Sequence, residues 1–90
     1  MNKQEILNTI TEGAKGLFVL SIEYLEKDGS NEGNRLVEPY SLRDIGTDKE
    51  AFFAFDIIKD GIRRFSTGRI LKVEITSNKF TPRNNWAVEF

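Results

Sequence analysis

The ninety-residue chain has no cysteine, no histidine, one tryptophan, one methionine and only two prolines. Without cysteine there can be no disulfide, thiol nucleophile or thiolate zinc site. Without histidine the commonest general base, triad partner and transition-metal ligand are missing as well. Carboxylates and lysine remain, but no nucleophile and base stand at a recognisable spacing. Glu5, Glu12, Glu23, Glu26 and Glu32 show no ligand spacing either. The expectation is therefore a protein that is not an enzyme and needs no metal or cofactor. No apolar run approaches the roughly 20 residues that cross a bilayer. The opening "MNKQEILNTITEG" lacks the apolar core of a signal peptide, so a cytoplasmic protein without a membrane partner is expected.

Charge of one sign is scarce only in part of the chain. The formal net charge is -1, yet residues 1–50 hold six Lys/Arg against ten Asp/Glu, and residues 51–90 hold seven against four. Between 59 and 83 there are seven basic and two acidic residues. Overall acidity argues against indiscriminate nucleic-acid binding, whereas a local basic region can still hold an anion. The competing reading of such a cluster is a solvated face.

Hydrophobic spacing divides the chain into one helix and several strands. Ile6, Leu7, Ile10 and Ala14 recur at helical intervals, and Gly13 and Gly16 read as stop signals, which predicts a helix over 2–13. "LFVLSIEYL" (17–25) predicts a strand with Phe18, Leu20, Ile22 and Tyr24 on one face. "KDGSNEGN" reads as an exposed loop. "RLVEPYSLRDI" (35–45) reads as a second strand, with Pro39 marking an edge or a bend. After a turn at "GTDKE", "AFFAFDIIK" (51–59) is apolar enough for a strand buried on both sides, with Phe52, Phe53, Phe55 and Ile57 as core and Phe53 and Phe55 in the barrel interior. Asp60-Gly61 predicts a tight hairpin turn into "IRRFS". "ILKVEITS" (70–77) alternates, which sends Leu71, Val73 and Ile75 inward. The tail 78–90 ends in "WAVEF", a further pairing segment, with Trp86 closing one end and Lys79 and Arg83 as solvated charges. One helix and about five short strands predict a single mainly β domain over 1–90, a small five-stranded barrel over 17–77.

"GIRRFSTGRI" (61–70) places three arginines among Ile62, Phe65 and Ile70. Alternation sets Arg63 and Phe65 on one side of their strand and Ile62 and Arg64 on the other. A guanidinium beside buried aromatics needs a carboxylate or a bound anion. Asp56, across the Asp60-Gly61 turn, is the internal candidate. A structural Arg–Asp pair and an anion site are both compatible with this spacing.

The ordered set Ile22 and Tyr24, Arg35 and Pro39 in "RLVEP", "AFD" (54–56), Arg63 and Phe65, then Arg69 and Ile70 resembles the WYL domain over about residues 5–80. The triplet that names that family falls at Glu50, Ala51 and Phe52, where none of its residue types is kept, and the family's aspartate before "RI" is Gly68 here. The pattern is that of a divergent, stand-alone small member. The resemblance implies an SH3/Sm-like barrel acting as a ligand sensor in transcription regulation. It implies a groove in which Tyr24, Arg35, Arg63 and Arg69 bind a phosphate-bearing ligand, single-stranded nucleic acid or a nucleotide. Arginine suits phosphate through its planar fork, and an aromatic can stack a base. These ninety residues leave no room for a helix-turn-helix, so sequence-specific duplex reading is not expected. The alternative is a protein-interaction subunit whose arginines pair internally.

Overall fold

The computed structural model describes residues 1–44 and 50–90. Helix α1 spans Lys3–Lys15, with Asn2 as its N-cap. The Asn2 side chain accepts from the Glu5 N–H at 2.8 Å, and the Glu5 carboxylate accepts from the Asn2 N–H at 3.1 Å. This reciprocal box satisfies two of the amide donors that a helix start leaves unpaired. Ile6, Ile10 and Ala14 are buried on one stripe. The helix runs two residues past its predicted end because Gly13 is not a stop. A Cβ there would collide with Leu20 Cδ2, so Gly13 lets the helix lie close against the sheet. Gly16 forms the C-cap.

Five strands follow: β1 (Phe18–Tyr24), β2 (Asn34–Asp44), β3 (Glu50–Asp56), β4 (Gly61–Ser66) and β5 (Ile70–Lys79). They form one antiparallel sheet in the order β4-β3-β2-β1-β5. The five strands agree with the sequence; the strand pairing of the described residues leaves the sheet unclosed, so it shows a five-stranded antiparallel sheet and not, by itself, a barrel. Strands β4 and β5 are its two edges, joined by a single 3-10 turn at Thr67–Arg69. The last amide of β4, on Ser66, bonds the Tyr24 hydroxyl at 2.9 Å instead of a carbonyl of β5. The turn expected at 46–50 lies outside the described residues apart from Glu50, which begins β3.

Both faces of the sheet are covered. The larger cluster, against α1, holds Ile10, Leu20, Ile22, Val37, Phe52 and Phe65. The second holds Val19, Tyr40, Phe55 and Phe80, with Val88 of the tail packed on it. Strand β3 is thus buried on both sides, as its unbroken apolar run predicts. The assignment of its faces is corrected: Phe52 and Ala54 enter the larger cluster, Phe55 the second, and Phe53 is half-buried. The run itself carries no alternation from which the faces could be told apart. The strand also ends three residues before the predicted limit. The Asp56 carboxylate accepts from the amides of Ile58 and Lys59, both at 3.1 Å, which turns the chain at Ile57. Asp60 then takes a left-handed φ of 53° and leads into Gly61.

Two further expectations shift for reasons of register. Leu71 is exposed rather than inward, because Tyr24 pairs with Ile70 and Glu23 with Lys72, leaving Leu71 as the extra residue of a bulge. Val73 returns to the core. Pro39 sits in an interior strand at the bend, where the β2–β3 register shifts and beyond Val37, the last residue paired with β1. The tail crosses the second face and makes a parallel bridge between Ser41 and Glu89. Trp86 closes no barrel end; it lies edge-on to Tyr40 and is partly exposed. Among the described residues no helix is long and apolar enough to cross a membrane.

Candidate functional site

Tyr24 ends β1, Arg35 is the second residue of β2 and pairs with Ile22, Arg63 lies in β4 and Arg69 closes the 3-10 turn. The fold brings these four together, and the residue they meet around is Glu26, in the loop after β1. Its carboxylate receives Arg35 Nη2 in a short ion pair and lies 3.5 Å from Arg63 Nη2. Its backbone carbonyl accepts from Arg69 Nη1 at 3.1 Å. The three arginines therefore converge on Glu26: Arg35 and Arg63 share its carboxylate, and Arg69 takes its backbone carbonyl.

Arg35 is the most enclosed of them, at 5% exposure. Its guanidinium carbon lies 6.0 Å from the Tyr24 ring centroid and 5.9 Å from that of Phe65. Asp56, at 1% exposure, lies 3.5 Å from Arg35 Nη1, and Glu32 lies 3.5 Å from Arg35 Nη2. The internal partner of Asp56 is therefore Arg35 of β2 and not an arginine of β4. Strand register explains this: Asp56 pairs with Val37, two residues from Arg35 on the same face. Arg63 is about one-third exposed and lies 5.5 Å over the Phe65 ring, as alternation along β4 predicts. Tyr24 is buried and edge-on to Phe65, with its hydroxyl occupied by the Ser66 amide.

Two clefts open on either side of Tyr24. One of about 490 Å³ is lined by Lys27, Lys59, Arg63 and Arg64 together with Glu26, Asp28 and Glu32. Its charges largely cancel. Lys59 donates to Glu32 at 2.9 Å, and this hydrogen bond, helped by the Lys59 and Arg35 charges, holds the Glu32 carboxyl below its ordinary range. The second cleft, about 400 Å³, is lined among the described residues by Tyr24, Lys27, Arg64, Ser66 and Arg69, with one carboxylate, that of Glu50. It is the more positive of the two. Arg64 and Lys27 belong to both clefts, and the sequence reading passed over them. Lys27 sits in a loop without periodicity. Arg64 falls on the opposite side of β4 by alternation, but at a sheet edge a long side chain can reach round.

A second charged arrangement also went unread. Glu38, buried on the outer face, accepts from Arg83 Nε at 2.9 Å, from Arg83 Nη2 at 3.0 Å and from the Tyr40 hydroxyl at 2.9 Å. Arg83 also lies 3.9 Å over the Phe55 ring. Its role is to pin the tail, not to sit solvated.

No protein-family model matches the chain, and no curated protein matches its sequence. Among solved structures it is similar to proteasome accessory factor B/C (PafBC) of Arthrobacter aurescens, with a TM-score of 0.78 and 21% identity over 86% of this chain. The chain spans 12% of that protein's length. This likeness shows the fold.

Proposed function

We propose that the chain is a WYL-like regulatory binding module that takes a phosphate-bearing ligand, a short single strand of nucleic acid or a nucleotide. The ligand occupies the cleft lined by Tyr24, Lys27, Arg64 and Arg69, and no catalysis is involved. The observation that carries this reading is the charge balance of that cleft, where, among the described residues, Lys27, Arg64 and Arg69 face one carboxylate, that of Glu50. Arginines set along a groove bind phosphate bidentately. The ordered resemblance of Tyr24, Arg35, Arg63 and Arg69 to WYL positions supports the same placement. Arg35 supports the site from beneath: it fixes Glu26, and Glu26 in turn orients Arg63 and Arg69.

Fluorescence anisotropy with a labelled oligonucleotide at several salt concentrations tests this. Affinity should fall with salt, by about 0.7 log units per log of salt for each phosphate engaged on a single strand. Arg64→Ala and Arg69→Ala should each weaken binding while the melting temperature stays near that of the parent. Affinity that ignores both substitutions refutes the site. The second reading, a protein-interaction subunit, is favoured by the enclosure of Arg35 among Glu26, Glu32 and Asp56. It predicts loss of stability and no specific loss of oligonucleotide binding when the site arginines are removed.

A further inference from the structure

The two edges of the sheet are not alike. The β5 edge is interrupted by the bulge at Leu71, and the Val73 amide is covered by the Met1 sulfur at 3.3 Å. Both features blunt an edge against further pairing. The β4 edge has neither. Its six residues pair with β3 in unbroken register from Gly61↔Asp56 to Ser66↔Ala51. The Ser66 amide turns away from β3 to the Tyr24 hydroxyl. By the two-residue period of a strand, Ile62 and Arg64 also direct their backbone groups outward.

Beside this edge, on the outer face, lies an apolar notch of about 270 Å³ lined by Tyr40, Phe53, Ile62 and Trp86. The ion pair of Arg43 with Glu89, at 3.2 Å, stands at its rim. Ile62 is 47% exposed although it is a branched apolar residue in a strand. A regular, open edge with an apolar socket beside it and arginines along it is suited to one kind of occupant.

We propose that the β4 edge binds an extended acidic segment of a partner protein by strand addition. In this mode backbone hydrogen bonds give affinity and alternate side chains give specificity. Same-face neighbours on an added strand are two residues apart. An apolar residue beside Ile62 therefore enters the notch, and an acidic residue further along the added strand meets Arg64, whose side chain reaches round the edge. Charge excludes a second copy of this chain as the occupant. Antiparallel pairing keeps paired side chains on one face, so the central symmetric registers of β4 with its own copy set Arg63 opposite Arg63 or Arg64 opposite Arg64, and like charges directly opposite destabilise a pair. This surface is separate from the phosphate cleft apart from Arg64, which lies between them.

The probe is a short capped peptide in which threonine alternates with isoleucine and glutamate, read by Trp86 fluorescence. Methylating alternate backbone nitrogens of the peptide should weaken binding by about tenfold or more, equivalent to about 1.4 kcal/mol. Ile62→Lys should do the same. Ile62→Thr, which keeps a β-branched residue in the strand, should weaken it several-fold with unchanged melting. Oligonucleotide affinity should be unaltered by either Ile62 variant, and peptide affinity unaltered by Arg69→Ala. The proposal is overturned if the methylated peptide binds equally well or the patterned peptide leaves Trp86 unchanged. It is equally overturned if Arg69→Ala removes peptide and oligonucleotide binding together, since the carboxylates would then simply occupy the phosphate cleft. Sedimentation showing self-pairing through β4 would also overturn it.

Discussion

Arg35→Met distinguishes an arginine that holds the fold from one that waits for a ligand. Methionine keeps an unbranched stem beside the Tyr24 and Phe65 rings and removes the guanidinium. Asp56, at 1% exposure, then loses its ion-pair partner, while one oxygen still accepts from the Ile58 and Lys59 amides. Breaking a buried pair by deleting one member destabilises by about 3–5 kcal/mol, because the remaining charge is left without compensation. Glu26 adds less, since it is about a quarter exposed and keeps Arg63. Against a total stability of about 5–15 kcal/mol for a domain, the loss is large. At about 4–8 °C per kcal/mol for a domain of this size, the melting temperature should fall by about 12 °C or more. Urea unfolding followed by far-UV circular dichroism gives the same quantity, with an unchanged m-value if the fold is retained. Asp56→Asn keeps an acceptor for the two amides and removes the charge. The double variant should therefore recover part of the loss, with a coupling energy above about 1 kcal/mol. If Arg35→Met melts within a few degrees of the parent and loses oligonucleotide affinity instead, the internal pairing derived for Arg35 is wrong.

Phe52→Ala should destabilise by about 3–5 kcal/mol as a cavity in the larger cluster, whereas Phe53→Ala, at a half-buried position, should lose clearly less; equal losses in chemical denaturation would refute the face assignment. Burial pushes the Tyr40 phenol above its ordinary value near 10, with its hydrogen bond to Glu38 adding in the same direction. The folded chain thus holds that proton more tightly than the unfolded one. The resulting stability is whole below the unfolded phenol value and is lost as pH rises through the folded one. Alkaline titration of tyrosine absorbance should show one group ionising late and coinciding with loss of structure, and Tyr40→Phe should remove that phase.

Much of this architecture is legible in local sequence. The helix start is written in Asn2 and Glu5, the strand boundaries in loops and glycines, and the two-sided burial of β3 in its apolar run. The convergence of Tyr24, Arg35, Arg63 and Arg69 is legible through their ordered resemblance to a family pattern. Lys27, Arg64 and the Glu38–Arg83 latch are not, because nothing in their spacing links residues that meet only after strands pair. Glu38 and Arg83 are 45 positions apart and are joined by the tail's path over the second face.

Composition alone excludes thiol and imidazole chemistry, and alternation alone puts Arg63 on the side of Phe65. Both are properties of the chain before it folds. Tertiary structure decides the partner of each charge, because a salt bridge depends on the register between strands that periodicity does not specify. A one-residue bulge at Leu71 turns an expected core residue to solvent, and the Asp56–Val37 register assigns that carboxylate to Arg35. Strand order is decided in the same way: β4 and β5 end the sheet, with the 3-10 turn between them and the Ser66 amide turned to Tyr24.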